Sequence, residues 1–414
     1  SSTAYIIFCH LGANVAASDG DSCTVGAIED DCIPATDSEF FFCTDRYSWE
    51  WSQDVQQLPT QASDSLCLTM DSNAVDGLEQ TELLVIGGCD AEFQEIGGPC
   101  ESFSSSTRSF NPILDRFEER QSMPTERFRA AAVNVSEYVY LFGGRNGSDD
   151  LTCNVDRYNV LTGQWVQLDV MQEDHCYSDH SGVASEDGTI YIFGGYTADY
   201  QASGTVVKVE VSGDNITFST TTPMEINRGD HSCILLPATT EVFCMGGFST
   251  GDEQPEYQIL TSVERFDIST QQWDSRASMV TPRADFGAGL LNGRITVVGG
   301  EDTEGPMDDV EWYDPDADCW VYSGNLFELP FKRLRYCAAT MATDSRIYIF
   351  GGQALDDTSD EVYTIMDTVN WYQEVLVDQL TPSRAASSTR RAENFAIALA
   401  IGVVCAALLG YCGY

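Results

Sequence analysis

The chain is 414 residues long and 43% apolar, enough for one large packed domain. Twenty-one basic residues stand against sixty-five acidic ones, a formal net charge of −44. Such a surface repels phosphate backbones and excludes nucleic acid as a partner. Because the acids are dispersed rather than run together, they read as a solvated surface before they read as a dedicated cation-binding or base-binding stretch.

Residues 1–64 form an N-terminal segment with three apolar runs of strand composition. These are Ala4-Tyr-Ile-Ile-Phe8, Glu39-Phe-Phe-Phe-Cys43 and Tyr47-Ser-Trp-Glu-Trp51. A long loop over 10–38 carries Cys23 and Cys32. The chain opens on Ser1 rather than Met, as expected where a signal peptide has been removed.

From 65 to 378 one unit recurs six times. Gly-Gly pairs fall at Gly87-Gly88, Gly143-Gly144, Gly194-Gly195, Gly246-Gly247, Gly299-Gly300 and Gly351-Gly352, spaced by 56, 51, 52, 53 and 52 residues. Each closes an apolar strand: LLVIGG, VYLFGG, IYIFGG, VFCMGG, ITVVGG and IYIFGG. Before it lies a segment opened by a basic residue and continuing with small ones, as at Arg127-Phe-Arg-Ala-Ala, Arg228-Gly-Asp-His-Ser, Arg283-Ala-Asp-Phe-Gly and Arg333-Leu-Arg-Tyr-Cys. Small residues suit an innermost strand crowded near an axis. After the glycines come a variable polar loop and a strand ending in Tyr158, Phe266 or Tyr313. A turn and then Trp165, Trp273, Trp320 or Trp371 complete the unit.

Four strands per unit and this pattern of Gly-Gly, Tyr or Phe, and Trp resemble the kelch family, which implies an all-β fold, a β-propeller with one blade per unit. The third unit lacks the Trp and the first has Phe110 and Phe117 in weaker positions, so both blades are expected to form with less aromatic packing. A seventh blade split between the termini is favoured over six. Pro382-Ser-Arg384-Ala-Ala-Ser-Ser would supply its first strand, since Arg384 follows Trp371 by 13 residues as Arg333 follows Trp320, and the three N-terminal runs would supply the rest. Such a ring has no free edge.

Fifteen cysteines, none in a CxxC pair, favour disulfides and an oxidising compartment. On the repeat frame Cys89 and Cys100 share one loop, Cys153 and Cys176 lie in loops on one propeller face, and Cys233 and Cys244 stand symmetrically about a hairpin turn. These are the disulfide candidates. Thirteen cysteines precede residue 400, an odd number, so at least one is free or pairs with another chain. The sequons at Asn134, Asn146 and Asn215 are candidate glycosylation sites, each read as lying on a loop.

Residues 379–394 read as a closing strand and juxtamembrane linker, and 395–412, free of charge and rich in Ala, as a transmembrane helix. A lipid-anchor signal near Ser387 and a buried hairpin ending at Leu409-Gly410 are the alternatives. Together these features give a single-pass membrane protein with an extracellular or lumenal propeller.

Catalytic sets are sparse. Some kelch-like propellers resemble galactose oxidase, whose copper needs two His and two Tyr, one of them linked to Cys. The four histidines here are His10, His175, His180 and His231. His180 and His231 share a repeat column with Phe286 and Tyr336, which leaves His175-Cys176-Tyr177 as the one cluster resembling a metal site. Arg228-Gly229-Asp230 matches an adhesive tripeptide but aligns with Arg283-Ala284-Asp285, so the repeat explains it. Asp314-Pro-Asp316-Ala-Asp318 starts like a calcium loop yet has Cys319 and Asn325 where Gly and Glu are needed. No catalytic or metal-ligating residue and no cofactor is assigned. The function expected is a non-catalytic propeller that binds a protein or glycan partner through its loops, as an accessory or scaffold subunit at a membrane. A copper radical oxidase or glycan-active enzyme is the alternative.

Overall fold

The computed structural model describes residues 47–52 and 56–376, apart from 73–79, 96–99, 252–253, 323–327, 342–343 and 357–358, together with the short strands Ile7–His10, Cys32–Pro34 and Phe40–Cys43. Among the described residues there is no α-helix, only one 3₁₀ turn at Glu173–His175. Residues 379–412, with the expected linker and membrane helix, lie outside the described residues.

Six four-stranded antiparallel meanders stand around an axis. The first blade is Leu66–Ser72, Gln80–Ile86, Thr107–Asn111 and Arg116–Glu119, from the axis outward. The second to fifth blades begin with the inner strands Ala131–Val135, Ser181–Ala184, Ser232–Leu235 and Gly287–Leu291 and are each built from one stretch of chain. The sixth is composite. Cys337–Met341, Arg346–Phe350 and Thr368–Leu376 come from the end of the repeat region, and Tyr47–Trp51 from the N-terminal segment forms the outermost strand.

That pairing corrects two expectations. Trp371 is on the third strand of its blade, opposite Tyr348, not on the fourth. In the second, fourth and fifth blades the third-strand aromatic pairs with the tryptophan in register: Tyr158 with Trp165, Phe266 with Trp273 and Tyr313 with Trp320. In the sixth the matching partners are Tyr372 and Trp51. The repeat tryptophan of the last blade is therefore supplied from 320 residues earlier in the chain. The described ring closes on six blades, one fewer than the sequence count favoured, and Tyr47–Trp51 closes the sixth rather than a seventh. Pro382–Ser388 lies outside the described residues.

Hydrophobic clusters fill all six spaces between neighbouring blades, including one that joins Leu83, Val85 and Phe110 of the first blade to Ala339, Tyr348 and Phe350 of the sixth. Second strands such as Ile190–Phe193 are buried on every residue because both their faces meet a neighbouring blade. Burying one such Ile or Phe contributes roughly 1.5–3 kcal/mol. The expected weakness of the first blade is slight, since Phe110 and Phe117 stack at 4.8 Å where other blades have Tyr or Phe with Trp at 4.9–5.2 Å. The tryptophans also tie blade to blade: the indole N–H of Trp165, Trp273 and Trp320 each donates at 2.9 Å to a carbonyl (Gln121, Thr222 and Ala277) leaving the preceding blade.

The repeated Arg and Gly-Gly explain each other. Arg127, Arg228, Arg283 and Arg333 are fully buried. Each donates to the carbonyl of the first glycine of its own blade, as Arg228 does to Gly246 at 2.8 Å. The other guanidinium nitrogen reaches the third strand, at Asp156, Glu264, Glu311 or Asn370. The second glycine of every blade donates its N–H to the residue opening the next: Gly88 to Arg127, Gly144 to Tyr177, Gly195 to Arg228, Gly247 to Arg283, Gly300 to Arg333 and, closing the circle, Gly352 to Ala62, all within 3.1 Å. At Gly246 φ is +63°, and a Cβ there would stand 2.6 Å from the Arg283 carbonyl and 2.8 Å from the Phe286 ring. Gly246→Ala is expected to cost about 3 kcal/mol or more, read as a lowered denaturant midpoint, because a disfavoured φ and a backbone clash coincide. Removing residues 1–52 is expected to expose the Thr368–Leu376 edge, measured as lower thermal stability and a tendency to associate.

Candidate functional site

Two residues after the position of the buried Arg, every blade places a residue in the left-handed region: Asp64 (φ 52°), Arg129 (57°), Asp179 (53°), Asp230 (52°), Asp285 (51°) and Arg335 (54°). Their backbones form a closed cycle about the axis. The N–H of Arg129 donates to Asp64 at 3.3 Å, Asp179 to Arg129 at 2.8 Å, Asp230 to Asp179 at 3.0 Å, Asp285 to Asp230 at 3.2 Å, Arg335 to Asp285 at 3.1 Å and Asp64 to Arg335 at 2.8 Å. Left-handed residues other than glycine persist only where their surroundings over-determine them, and they gather at ligand sites.

The side chains of this ring are unbalanced in charge. Arg129 Nε is 3.0 Å from Asp64 Oδ1 and 3.5 Å from Asp179 Oδ1, while Arg335 Nε is 3.0 Å from Asp285 Oδ2. Asp230 forms no ion pair among the described residues, nor does Glu301, which joins the group from the end of strand Arg294–Asp302, directly after Gly299-Gly300. Four aspartates and Glu301 thus face two arginines. Burial, and then Asp179 and Asp285 beside it, pushes the Asp230 carboxyl well up. Burial together with Asp285 pushes Glu301 up to about 8. Burial would raise Asp285 as well, but Arg335 and Arg129 hold it below its ordinary value.

Above the ring opens a cavity of about 800 Å³. Its walls are the loops that follow the glycine pairs, the segments whose length varies between units. They bring Ser148 and Asp149, Tyr196 and Tyr200, Phe248 and Tyr257, and Gln94 over the axis. Arg145 anchors two of these loops: fully buried, it donates to Asp149 O at 2.7 Å, Thr197 O at 2.9 Å and Ser178 Oγ at 2.9 Å, with the Tyr200 ring 3.6 Å away. Tyr200 donates to the Asp149 carboxylate at 2.6 Å. Tyr196 is 2% exposed, and its hydroxyl lines the cavity without a hydrogen-bond partner. Asp179 Oδ2 is likewise unpartnered. The arrangement offers more carboxyl groups than arginines, aromatic walls and unused polar atoms, and a cation presented by another molecule would draw the raised Asp230 and Glu301 carboxyls toward their charged form.

The residues singled out in the sequence fall elsewhere. The structure joins Cys89 to Cys100, Cys153 to Cys176 and Cys233 to Cys244 as disulfides. Cys176 is thereby removed as a ligand from the cluster with His175 and Tyr177, whose hydroxyl donates to Asp174 O at 2.8 Å. His180 and His231 are buried beside the glycine pairs. Desolvation holds His180 down to about 4, and burial with Arg228 holds His231 well below its usual value, so both are neutral packing groups. His231 approaches Cys233 and Cys244, but those sulfurs are bonded to each other and leave no thiolate for a metal. His10 belongs to the short strand Ile7–His10. Arg228 of the adhesive-like tripeptide is fully buried and Asp230 faces the axial cavity, so the tripeptide is not displayed on a loop. Asp314 accepts from the amides of Asp316 and Ala317, closing the turn the repeat predicts. Among the sequons, Asn146 is on the loop after Gly143-Gly144 and Asn215 is the exposed first residue of strand Asn215–Thr220. Asn134 corrects the expectation of a loop: it lies within inner strand Ala131–Val135, half-buried, with its amide 3.4 Å from Thr69 O. Four ring residues, Arg129, Asp230, Asp285 and Arg335, lie in the basic-opened repeat segments, whereas Asp64 and Asp179 do not; a spacing of two from the position of the buried Arg is the signal that unites all six.

Comparison with known proteins agrees with this architecture. A family model described as the Attractin/LZTR1 β-propeller matches residues 83–354. Alpha-scruin of Limulus polyphemus is 26% identical over 270 residues, 62% of this chain and 28% of that protein. Kelch-like protein terF of Aspergillus terreus is 24% identical over 260 residues, 60% of this chain and 54% of the relative. Kelch-like protein 36 of Mus musculus is 25% identical over 293 residues, 66% of this chain and 46% of the relative. The chain spans about half the length of these relatives or less.

The raised Glu301 has a consequence for stability. Between its ordinary 4.5 and about 8 the folded protein holds a proton that the unfolded chain has released, so stability falls as pH rises through that window. Glu301→Gln is expected to flatten this part of the curve of denaturant midpoint against pH.

Proposed function

Since the chain belongs to the Attractin/LZTR1 β-propeller family, we propose that it is a non-catalytic protein-binding module whose partner presents a basic segment to the axial mouth. The observation that carries this reading is the cluster of five carboxylates against two arginines, walled by Tyr196, Tyr200, Tyr257 and Phe248. A Lys or Arg side chain entering the cavity would meet the carboxyls of Asp230 and Glu301, neither ion-paired to an arginine, and aromatic faces. The surrounding acidic surface of the chain, at −44, would speed the approach of such a partner. The relatives support the kelch-type propeller on which this reading rests, since their names describe them as kelch-like proteins. The three disulfides and the uncharged stretch 395–412 favour an extracytoplasmic propeller tethered to a membrane, which is expected to stay with the membrane on alkaline carbonate extraction.

Titration with a Lys/Arg-rich peptide and with the same peptide carrying Gln at its basic positions tests the proposal. The basic peptide is expected to bind more tightly, and Asp230→Asn combined with Glu301→Gln to weaken it about tenfold, the loss of one favourable charge contact. Asp316→Asn combined with Glu186→Gln, which neutralises two carboxyls on distant turns, should leave the affinity unchanged. Equal weakening by both changes would reduce the effect to bulk charge and sink the site.

A further inference from the structure

The seam between the first and sixth blades is where the ring must be closed by parts of the chain far apart in sequence. Three noncovalent devices hold it. Tyr47–Trp51 completes the sixth blade. Phe93–Glu95, from the loop of the first blade, pairs with Ser359–Ile365 from the loop of the sixth. The inner strands also meet side by side, with Asp64 N–H donating to Arg335 O at 2.8 Å at one end and Thr69 Oγ1 to Thr340 O at 2.5 Å further along.

Between those two contacts stand Cys67 on the first blade and Cys337 on the sixth, the two free thiols of the described residues. Cys337 is buried within the seam's apolar cluster and Cys67 packs against the same cluster. Cys67 is half-buried and also lines a cavity of about 350 Å³ on the axis, formed by inner strands of several blades, with Thr69, Gly289 and Thr340. The pair is close enough for Cys337 to influence the Cys67 thiol, which burial first and Cys337 second hold up. The disulfides Cys89–Cys100, Cys153–Cys176 and Cys233–Cys244 span 11, 23 and 11 residues, and none of the three crosses the seam.

We propose that Cys67 and Cys337 are a thiol–disulfide site that staples the first blade to the last, oxidised by a small disulfide of the glutathione class entering along the axis. The Cys67 thiolate attacks one sulfur of RSSR, forming Cys67–S–SR and releasing RS⁻. The Cys337 thiolate then attacks Cys67 Sγ and displaces the second RS⁻. Two protein thiols become one disulfide, and the two electrons and two protons end on two RSH. The new bond closes a loop of 270 residues and converts the seam from packed to covalent.

The test exposes the reduced full chain to glutathione disulfide at alkaline pH, which supplies the thiolate, followed by alkylation in denaturant and non-reducing peptide mapping. The expected result is a linked peptide joining Cys67 to Cys337, and a thermal midpoint raised by roughly 5–10 °C relative to the form in which only this pair is reduced. Cys337→Ala, a small change at the seam, removes the resolving thiol and should stop the exchange at a Cys67–glutathione mixed disulfide and abolish the shift. Mapping on the unmutated chain needs no variant to fold. Recovery of Cys67 and Cys337 as alkylated thiols, as separate glutathione adducts, or linked to other cysteines would overturn the assignment.

Discussion

Blade number and binding surface both depend on one constraint: the backbone cycle through six left-handed residues at the axis. Each link joins a blade to the one before it, so the cycle closes only when the angle between blades suits six. The glycine pairs form a second cycle just outside it, and there the next blade's carbonyl approaches too closely for a Cβ. Together the cycles set the inner strands at a fixed spacing, and the apolar second strands then fill the wedges between blades. The ring brings Asp64, Arg129, Asp230 and Arg335 to the wall of the mouth, with Asp179 and Asp285 ion-paired beside them, so the same geometry that closes the fold gathers four aspartates and two arginines in one place.

The charge of the chain follows from the same plan. Five of its twenty-one basic residues, Arg127, Arg145, Arg228, Arg283 and Arg333, are fully buried and add nothing to the surface charge. These guanidiniums are held by carbonyls and by third-strand acids or amides, so their desolvation is offset by hydrogen bonds. An acidic exterior is left. At the axial mouth the excess is sharper, because desolvated carboxylates crowd against each other and Asp230 and Glu301 have no arginine of their own. A cation from a partner would supply the missing counter-charge.

Legibility in the sequence tracked how local each feature is. The Gly-Gly pairs, the buried Arg and the third-strand aromatics recur because every blade meets the same neighbours, so they could be read from period and residue type. The disulfide candidates were within reach for a similar reason, each pair lying in one hairpin or in loops 23 residues apart or fewer. Trp371 misled because its distance from the preceding units suited a fourth strand, whereas its partner Tyr348 puts it on the third.

The sequence alone determined the propeller: a repeated local pattern specifies a repeated local structure, and six such units must bury their flat faces against one another. Only the tertiary structure decided how the ring closes. Trp51 takes the place opposite Tyr372, Cys67 meets Cys337, and Asp64 completes the cycle with Arg335, contacts between residues hundreds of positions apart. No period marks them, because closure happens once. The binding mouth belongs to the same class, since its walls come from loops that differ in every blade and converge only around the finished axis.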